Sequence, residues 1–398
     1  MKIAIVGTSN SIMGEKGYVQ ALREENEVIQ FSAGRMPFLG GFNTILKNKK
    51  LIEECDFLLL DHYVNDINFY ASRCGSEYIK YCEIFYQYLS TLNVRIVNIF
   101  FPIRNLHERD SIFFYHEVIR ISEENGIPVL NLNECDFKNH HYIDHIHLNN
   151  DASYALGVIL CSFFKSNAVG RKPYGGSCRT LPFDSIVLSD YQYGQHGVFE
   201  NSLLKVTYSN ITKPFVIHRG ETSSLVSIGY LRSKNKHGLS GVEINGKKFG
   251  LTDYGYFHEL VNGNFRGDLH LSPIFGKYEL DNLMDRKPKS KGEFKYCYLI
   301  DLLFFDEKVV MSYSPASREV ISIDISSLLP LVERLSPPVE FTLPTLSNKT
   351  IDLIRDIAVS YEMKDNIIAK ELMEIAYIAR PSGAFIKSKL NEYKKLNI

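Results

Sequence analysis

Two widely separated segments carry side chains that together could move a proton. In Ile143-Asp144-His145-Ile146-His147-Leu148-Asn149 an aspartate stands three residues before a histidine. That spacing lets the carboxylate hold one imidazole nitrogen while the other stays free to take a proton from a hydroxyl. Near the N-terminus, Gly7-Thr8-Ser9-Asn10-Ser11 follows the apolar run Ile3-Ala4-Ile5-Val6 and offers that hydroxyl at Ser9. A third segment, His62-Tyr63-Val64-Asn65-Asp66, follows the apolar run Phe57 to Leu60 and places an amide donor, Asn65, where a developing oxyanion could be held. In combination these residue types support attack by a serine on an acyl carbon.

Such residues work together only if the fold brings them together. Ile3 to Val6, Val28 to Phe31, Phe57 to Leu60, Ile96 to Phe100 and Val129 to Leu132 read as short buried strands. Amphipathic stretches at Tyr18 to Glu24, Asn43 to Glu54, Glu77 to Leu92, Ser111 to Glu124 and Ala152 to Phe164 read as helices, with Gly126-Ile127-Pro128 marking a stop before the fifth strand. This alternation predicts an α/β fold, a flavodoxin-like doubly wound parallel sheet with helices on both faces. For strand order 2-1-3-4-5 the switch point lies between the first and third strands, where ligands bind at the carboxyl ends. Ser9 follows the first strand and Asn65 the third, so the order makes neighbours of them.

The three segments together resemble the SGNH (GDSL-like) hydrolase superfamily, whose blocks carry a Ser near the N-terminus, a Gly after the second strand, G-x-N-D after the third, and D-x-x-H near the end. The resemblance covers roughly the first 165 residues, within a first domain of residues 1–170. It implies Ser9 as nucleophile, His147 as base, Asp144 as its orienter, and Asn65 with the backbone N–H of Gly34 as oxyanion donors. Two positions depart from the pattern: Gly-Asp-Ser is here Gly7-Thr8-Ser9, and the Gly of G-x-N-D is Tyr63.

The same residue types also serve other chemistry. Ser9 in a Gly-x-Ser turn could cap a helix or belong to a phosphate-binding loop, but G-x-G-x-x-G is absent and no Lys follows in Walker spacing. His140, His141, His145 and His147 cluster around Asp144, and alternate residues of an extended segment share a face. No distant Cys or carboxylate is spaced to complete a metal set, so no metal is expected; His145 is read as a substrate contact, and Asn149 as the cap of the next helix. Asp66 reads as a helix-capping carboxylate. Asp61, ending a buried run, requires hydrogen bonds or a shifted pKa.

The remaining chain bounds the setting. At 398 residues it is too long for one typical core. Past Arg171-Lys172-Pro173-Tyr174-Gly175-Gly176-Ser177 the helical period fades, and residues 180–335 read as a β-rich, sandwich-like domain with a hairpin at Asn245-Gly246. Its expected strands include Leu203 to Tyr208, Phe215 to His218, Leu225 to Tyr230, Val242 to Ile244, Tyr296 to Phe305 and Val320 to Ile325. Asp253-Tyr254-Gly255-Tyr256-Phe257-His258 could stack on sugar, though a β core needs such aromatics equally. Residues 345–398 read as a helical segment: one helix capped at Ser347 or Asn348 and running to Tyr361, a second from Asp365 to Ala379, and a third from Phe385 to Leu396. Its part from Glu371 to Tyr393 resembles helical-repeat appendages of bacterial polysaccharide-biosynthesis proteins.

A net charge of −1 argues against bulk electrostatic binding to nucleic acid, and the basic run Arg286-Lys287-Pro288-Lys289-Ser290-Lys291 reads as a solvated loop. No apolar run approaches the length of a membrane span. The first apolar run is too short for a signal peptide, so the expected address is cytoplasmic. Seven cysteines without C-x-x-C indicate neither a disulfide framework nor a zinc ribbon. The functional expectation is a serine esterase or O-acetyltransferase acting on O-acyl groups of a carbohydrate or polysaccharide. Hydrolysis would need no cofactor, transfer would draw on acetyl-CoA, and homo-oligomerisation is allowed for. The alternative is a non-catalytic sugar-binding or scaffold protein on a degenerate fold of the same kind.

Overall fold

Five strands, β1 (Lys2–Gly7), β2 (Glu27–Gln30), β3 (Phe57–Asp61), β4 (Arg95–Phe100) and β5 (Val129–Asn131), pair in parallel in the order β2-β1-β3-β4-β5. All five residues of β3 are buried. A central parallel strand covered on both faces must be apolar throughout, and Phe57-Leu58-Leu59-Leu60 is. Burying each such side chain stabilises by about 1.5–3 kcal/mol. The computed structural model describes every residue except 13–16, 168–175, 192, 201–204, 232–237, 252–255, 262–264, 282, 284–288, 317–324, 336–345, 363–365 and 396–398.

The helices of this part are α1 (Ser9–Ile12), α2 (Tyr18–Glu25), α3 (Phe38–Glu53), α4 (Tyr63–Asn65), α5 (Ala71–Leu89), α6 (Ile112–Glu124) and α7 (Asn150–Asn167). α3 starts five residues before the expected Asn43, and the cause is non-local. The Asp66 carboxylate accepts the Phe38 N–H at 3.1 Å, capping the helix from the far side of β3. Gly40 and Gly41 are poor helix formers. Gly41 is nevertheless required, because a Cβ there would lie 2.3 Å from the buried His62 ring. α5 likewise begins before the expected Glu77 and passes through Gly75, whose backbone is non-helical. α2 and α7 approach so closely that a Cβ at Gly157 would lie 2.4 Å from the Tyr18 carbonyl oxygen. This crossing seats the start of α7, and with it the histidine segment that precedes it.

The β-rich part contributes two six-stranded sheets. One runs Phe215–Ile217, Leu269–Pro273, Leu239–Ile244, Ser290–Tyr296, Gly276–Leu280, with Lys247–Leu251 beside Leu239–Ile244. The other runs Tyr256–Leu260, Ser223–Leu231, Tyr298–Asp306, Lys205–Asn210, Gln195–Glu200, with Phe183–Val187 beside Tyr298–Asp306. Tyr230, Leu302 and Phe304 of the second share one core with Val242, Ile244 and Leu271 of the first. The Asn245-Gly246 turn joins Leu239–Ile244 to Lys247–Leu251 as expected, both residues at positive φ. The run Tyr296 to Phe305 is not one strand, however. It breaks at the buried Cys297, whose carbonyl accepts the Ile211 N–H at 2.8 Å, and the chain changes sheets there. Residues 171–175, 253–255, 286–288 and 320–324 of the expected linker, aromatic, basic and strand segments lie outside the described residues, as do the side chains of Tyr256, Phe257 and His258. Lys289 and Lys291 pair with Asp281 and Glu279.

The chain divides into two compact units, residues 1–337 and 338–398. The second holds three further helices after α8 (Leu328–Leu335) of the first: α9 (Asn348–Tyr361), α10 (Asn366–Ala379) and α11 (Ala384–Lys395). Ser347 caps α9 by accepting the Thr350 N–H at 3.1 Å. Met373, Ala376 and Ile386 form part of this unit's own core. No helix among the described residues is long and apolar enough to cross a membrane, and none of the described cysteines forms a disulfide.

Within the first unit the α/β and β-rich parts are packed together. Phe42 of α3 and Tyr81 of α5 meet Phe183 at ring-centroid distances of 5.0 and 5.5 Å. Beside them Lys47 of α3 makes an ion pair with Asp301, whose side chain is 0% exposed. Removing one partner of a buried pair leaves the other charge uncompensated, at a cost of about 3–5 kcal/mol. Lys47→Ala should therefore lower the unfolding free energy by about 3 kcal/mol, the lower of those figures since Lys47 keeps 22% exposure, and this is read as a reduced urea midpoint. Lys47→Ala combined with Asp301→Leu should recover much of the loss. Equal stability of Lys47→Ala and the unmodified chain would show that the pair contributes nothing.

Candidate active site

Ser9 opens α1, directly after β1. Its Oγ lies 2.7 Å from Nε2 of His147, and Nδ1 of the same ring lies 2.7 Å from Oδ2 of Asp144. The other Asp144 oxygen accepts the backbone N–H groups of Ile146 at 2.8 Å and His147 at 3.0 Å. One carboxylate thus shapes the turn with one oxygen and orients the imidazole with the other, which is what the three-residue spacing makes available. Burial pushes the Asp144 carboxyl up, but the Ile146 N–H and the His147 ring outweigh it and hold the group below its ordinary value. The turn is closed by the Ile143 N–H donating to the His147 carbonyl at 2.8 Å. Asn149 then caps α7, its Oδ1 accepting the Ala152 N–H at 2.8 Å.

The two distant segments are stitched by a side chain that pattern reading passed over. Asn10, buried beside Ser9, donates from Nδ2 to the Ile146 carbonyl at 3.3 Å. Its position next to the serine was the available signal. His145 is exposed, and its carbonyl accepts the Arg104 N–H at 2.9 Å. His141 is buried and its Nδ1 accepts the Lys138 N–H at 3.1 Å. Among the described residues no group of three or more His, Cys, Asp or Glu side chains is arranged to hold a metal ion.

Gly34 and Asn65 come to the same edge of the sheet. The chain after β2 keeps pairing with β1, the Ala33 N–H donating to the Gly7 carbonyl at 3.1 Å, so that Gly34 lies against α1 near Ile12. Asn65, 1% exposed, donates from Nδ2 to the Met36 carbonyl at 3.3 Å, which leaves its second amide hydrogen uncommitted by that bond. Tyr63, standing where the SGNH-type pattern has glycine, is buried. Its ring stacks on Phe100 at 4.1 Å, and its hydroxyl donates to the Phe101 carbonyl and accepts from Asn133 Nδ2 at 2.6 Å.

Beneath Ser9 lies a second carboxylate. Asp61, at the end of β3, is 1% exposed and accepts the Thr8 N–H and the Ser11 hydroxyl, with the Tyr18 hydroxyl at 3.2 Å. Burial pushes it up to about 7, with the Ser11, Thr8 and Tyr18 donors acting in the opposite sense. Asp66 is likewise pushed up to about 7 by burial, against donation from Tyr78 and from the Phe38 N–H. His62, buried with neither ring nitrogen partnered among the described residues, is pushed down to about 3 by burial and stays neutral.

No family model matches the sequence, and no curated relative matches it. Among solved structures the chain is similar to acetyl xylan esterase AlAXEase, at 17% identity over 41% of this chain and 98% of that chain, with a TM-score of 0.34. It is similar to psychrotrophic esterase EstA from Pseudoalteromonas sp., at 16% identity over 43% of this chain and 99% of that chain, with a TM-score of 0.34. A third, capsular polysaccharide assembling protein CapF from Staphylococcus aureus, aligns with 77% of this chain and 96% of its own at 10% identity and a TM-score of 0.23.

The buried carboxyls set a pH dependence whose sign is fixed. Folded, Asp61 and Asp66 keep their protons up to about 7, whereas unfolded they release them near the ordinary value of about 4. The folded state binds more protons between those values, so this contribution to stability is fully present below about 4 and is lost as pH rises to about 7. Buried neutral His62 contributes the opposite slope below its ordinary value of 6.5, so the difference between chains carries the test: from pH 5 to pH 8 the urea midpoint of Asp66→Asn should gain on that of the unmodified chain. A slope unchanged in Asp66→Asn would exclude Asp66 as its source.

Proposed function

We propose that the protein is a serine-dependent acyl-transfer enzyme acting on O-acyl esters. The observation that carries this reading is the unbroken chain of contacts from Ser9 Oγ through His147 to Asp144, each link 2.7 Å. In the proposed reaction His147 Nε2 takes the Ser9 proton as Oγ bonds to the acyl carbon, and Asp144 stabilises the resulting imidazolium. The Ser9 and Gly34 backbone N–H groups and the Asn65 amide receive the oxyanion. His147 then returns the proton to the leaving alcohol oxygen, and an acceptor hydroxyl, activated by the same imidazole, releases the acyl group from Ser9.

Water as acceptor makes the protein an esterase. A sugar hydroxyl makes it an O-acetyltransferase, with acetyl-CoA as the donor whose thiol leaves in the first step. The substrate class proposed is an O-acylated carbohydrate or polysaccharide, with exposed His145, two residues from the base, as a substrate contact.

Fluorophosphonate labelling tests the nucleophile. The unmodified chain should be labelled on Ser9, Ser9→Ala should not, and Ser9→Ala turnover of p-nitrophenyl acetate should drop to a residual of about 10³- to 10⁴-fold over water. Asn65→Ala should lower kcat about 10²- to 10³-fold. His147→Ala and Asp144→Ala should both be severe and non-additive, with His145→Ala milder. Mass spectrometry of the protein incubated with acetyl-CoA and candidate glycans reads the acceptor as acetyl gain or loss. Normal turnover by Ser9→Ala would sink the mechanism.

A further inference from the structure

Ser9 is useful only if its hydroxyl stays within reach of His147, and a single turn of four residues is too short to hold itself rigid. Something outside the turn must fix it. The peptide before Ser9 is held from below by the Thr8 N–H donating to Asp61 Oδ1, and the residue two after it by the Ser11 hydroxyl donating to Asp61 Oδ2. One carboxylate therefore grips the turn on both sides of the serine, each oxygen taking one side. The arrangement is crowded: a Cβ on Gly7 would lie 2.2 Å from Ser11 Oγ and 2.6 Å from Asp61 Oδ1, so only glycine fits there. Tyr18, fully buried, reinforces the grip, its hydroxyl 2.5 Å from Ser11 Oγ. Gln30 Nε2 donates to the Ser11 carbonyl at 2.7 Å and closes the far end of the turn.

A carboxyl taken wholly out of water is costly, and an apolar residue could end β3 more cheaply. Asp61 nevertheless stands there, buried and in register with Gly7 across the β1–β3 pairing, where its oxygens meet the turn and the Tyr18 hydroxyl. Resting on the serine acyl-transfer reading, we propose that Asp61 is the positioning residue of the nucleophile, a carboxylate supplied by β3 that clamps Thr8 and Ser11 and so holds Ser9 in hydrogen-bonding distance of His147. It touches neither substrate nor the reacting atoms. Its effect is expressed through the orientation of the Ser9 hydroxyl, where a displacement of about 1 Å is enough to cost about 10²-fold in rate.

Steady-state hydrolysis of p-nitrophenyl acetate at pH 8, where Asp61 is ionised, by Asp61→Ala, Asp61→Asn and Ser11→Ala, normalised to the folded protein from unfolding curves, tests the assignment. Asp61→Ala should lose about 10²-fold in kcat with KM nearly unchanged. Asn retains an acceptor for the Thr8 N–H, so Asp61→Asn should rescue part of that loss, and Ser11→Ala, which removes one side of the clamp only, should fall between it and the unmodified chain. If Asp61→Ala does not fold, the other two variants carry the comparison. Unmodified kcat in Asp61→Asn and Ser11→Ala, or a rise in KM at constant kcat, overturns the proposal while leaving the nucleophile assignment standing. Absence of fluorophosphonate labelling in the unmodified chain takes both down together.

Discussion

The contact between Ser9 and His147 joins residues 138 positions apart, and most of the first 170 residues can be understood as the means of closing that distance. Nothing local brings the two residues together. Ser9 is placed by β1, whose carboxyl end is held between β2 and β3; His147 is placed by the turn that Asp144 folds and by α7, which leans on α2 through the side-chain-free surface of Gly157. These supports are apolar packing, backbone pairing and the bonds that the Asp144 and Asp61 carboxylates accept from nearby backbone N–H groups, so the hydrogen bond between the two side chains comes at little further conformational cost.

Much of this was legible in the sequence because the relevant periods are short. The Phe57 to Leu60 run is apolar at every position and announces a strand covered on both faces, and the D-x-x-H spacing announces the Asp144–His147 contact because three residues of turn are enough to make it. What was not legible was set by partners distant in sequence. The start of α3 depends on a carboxylate 28 residues away, and two adjacent glycines argue locally against it. Asn10 and Tyr18 look like ordinary polar and aromatic residues until Ile146 and Asp61 are brought beside them. The break at Cys297 is invisible as hydropathy, since Tyr296-Cys297-Tyr298 runs into the apolar stretch that follows with no Gly, Pro or charge between; membership of different sheets separates the two strands.

Tyr63 shows how a departure from a pattern can be absorbed. Where the pattern has the smallest residue, this chain has one of the largest, yet the ring lies on Phe100 and the hydroxyl finds partners in Phe101 and Asn133. The added bulk is spent in the hydrophobic interior beneath β4, and Asn65 remains two residues further along the same turn, tied to Met36. Thr8 is similar in kind: what the turn uses is its backbone N–H, which any residue but proline provides.

The Lys47–Asp301 pair and the aromatic cluster around Phe183 make the β-rich part a structural dependency of the α/β part. A polypeptide ending at Asn167 would retain Ser9, Asn65, Asp144 and His147. It would also turn the rings of Phe42 and Tyr81 out to water beside an ammonium group that had lost its carboxylate. An exposed apolar patch of that kind favours self-association. Excised in this way, the segment carrying every residue of the candidate site would be prone to precipitate, and a failure to recover it from expression would say nothing about its chemistry.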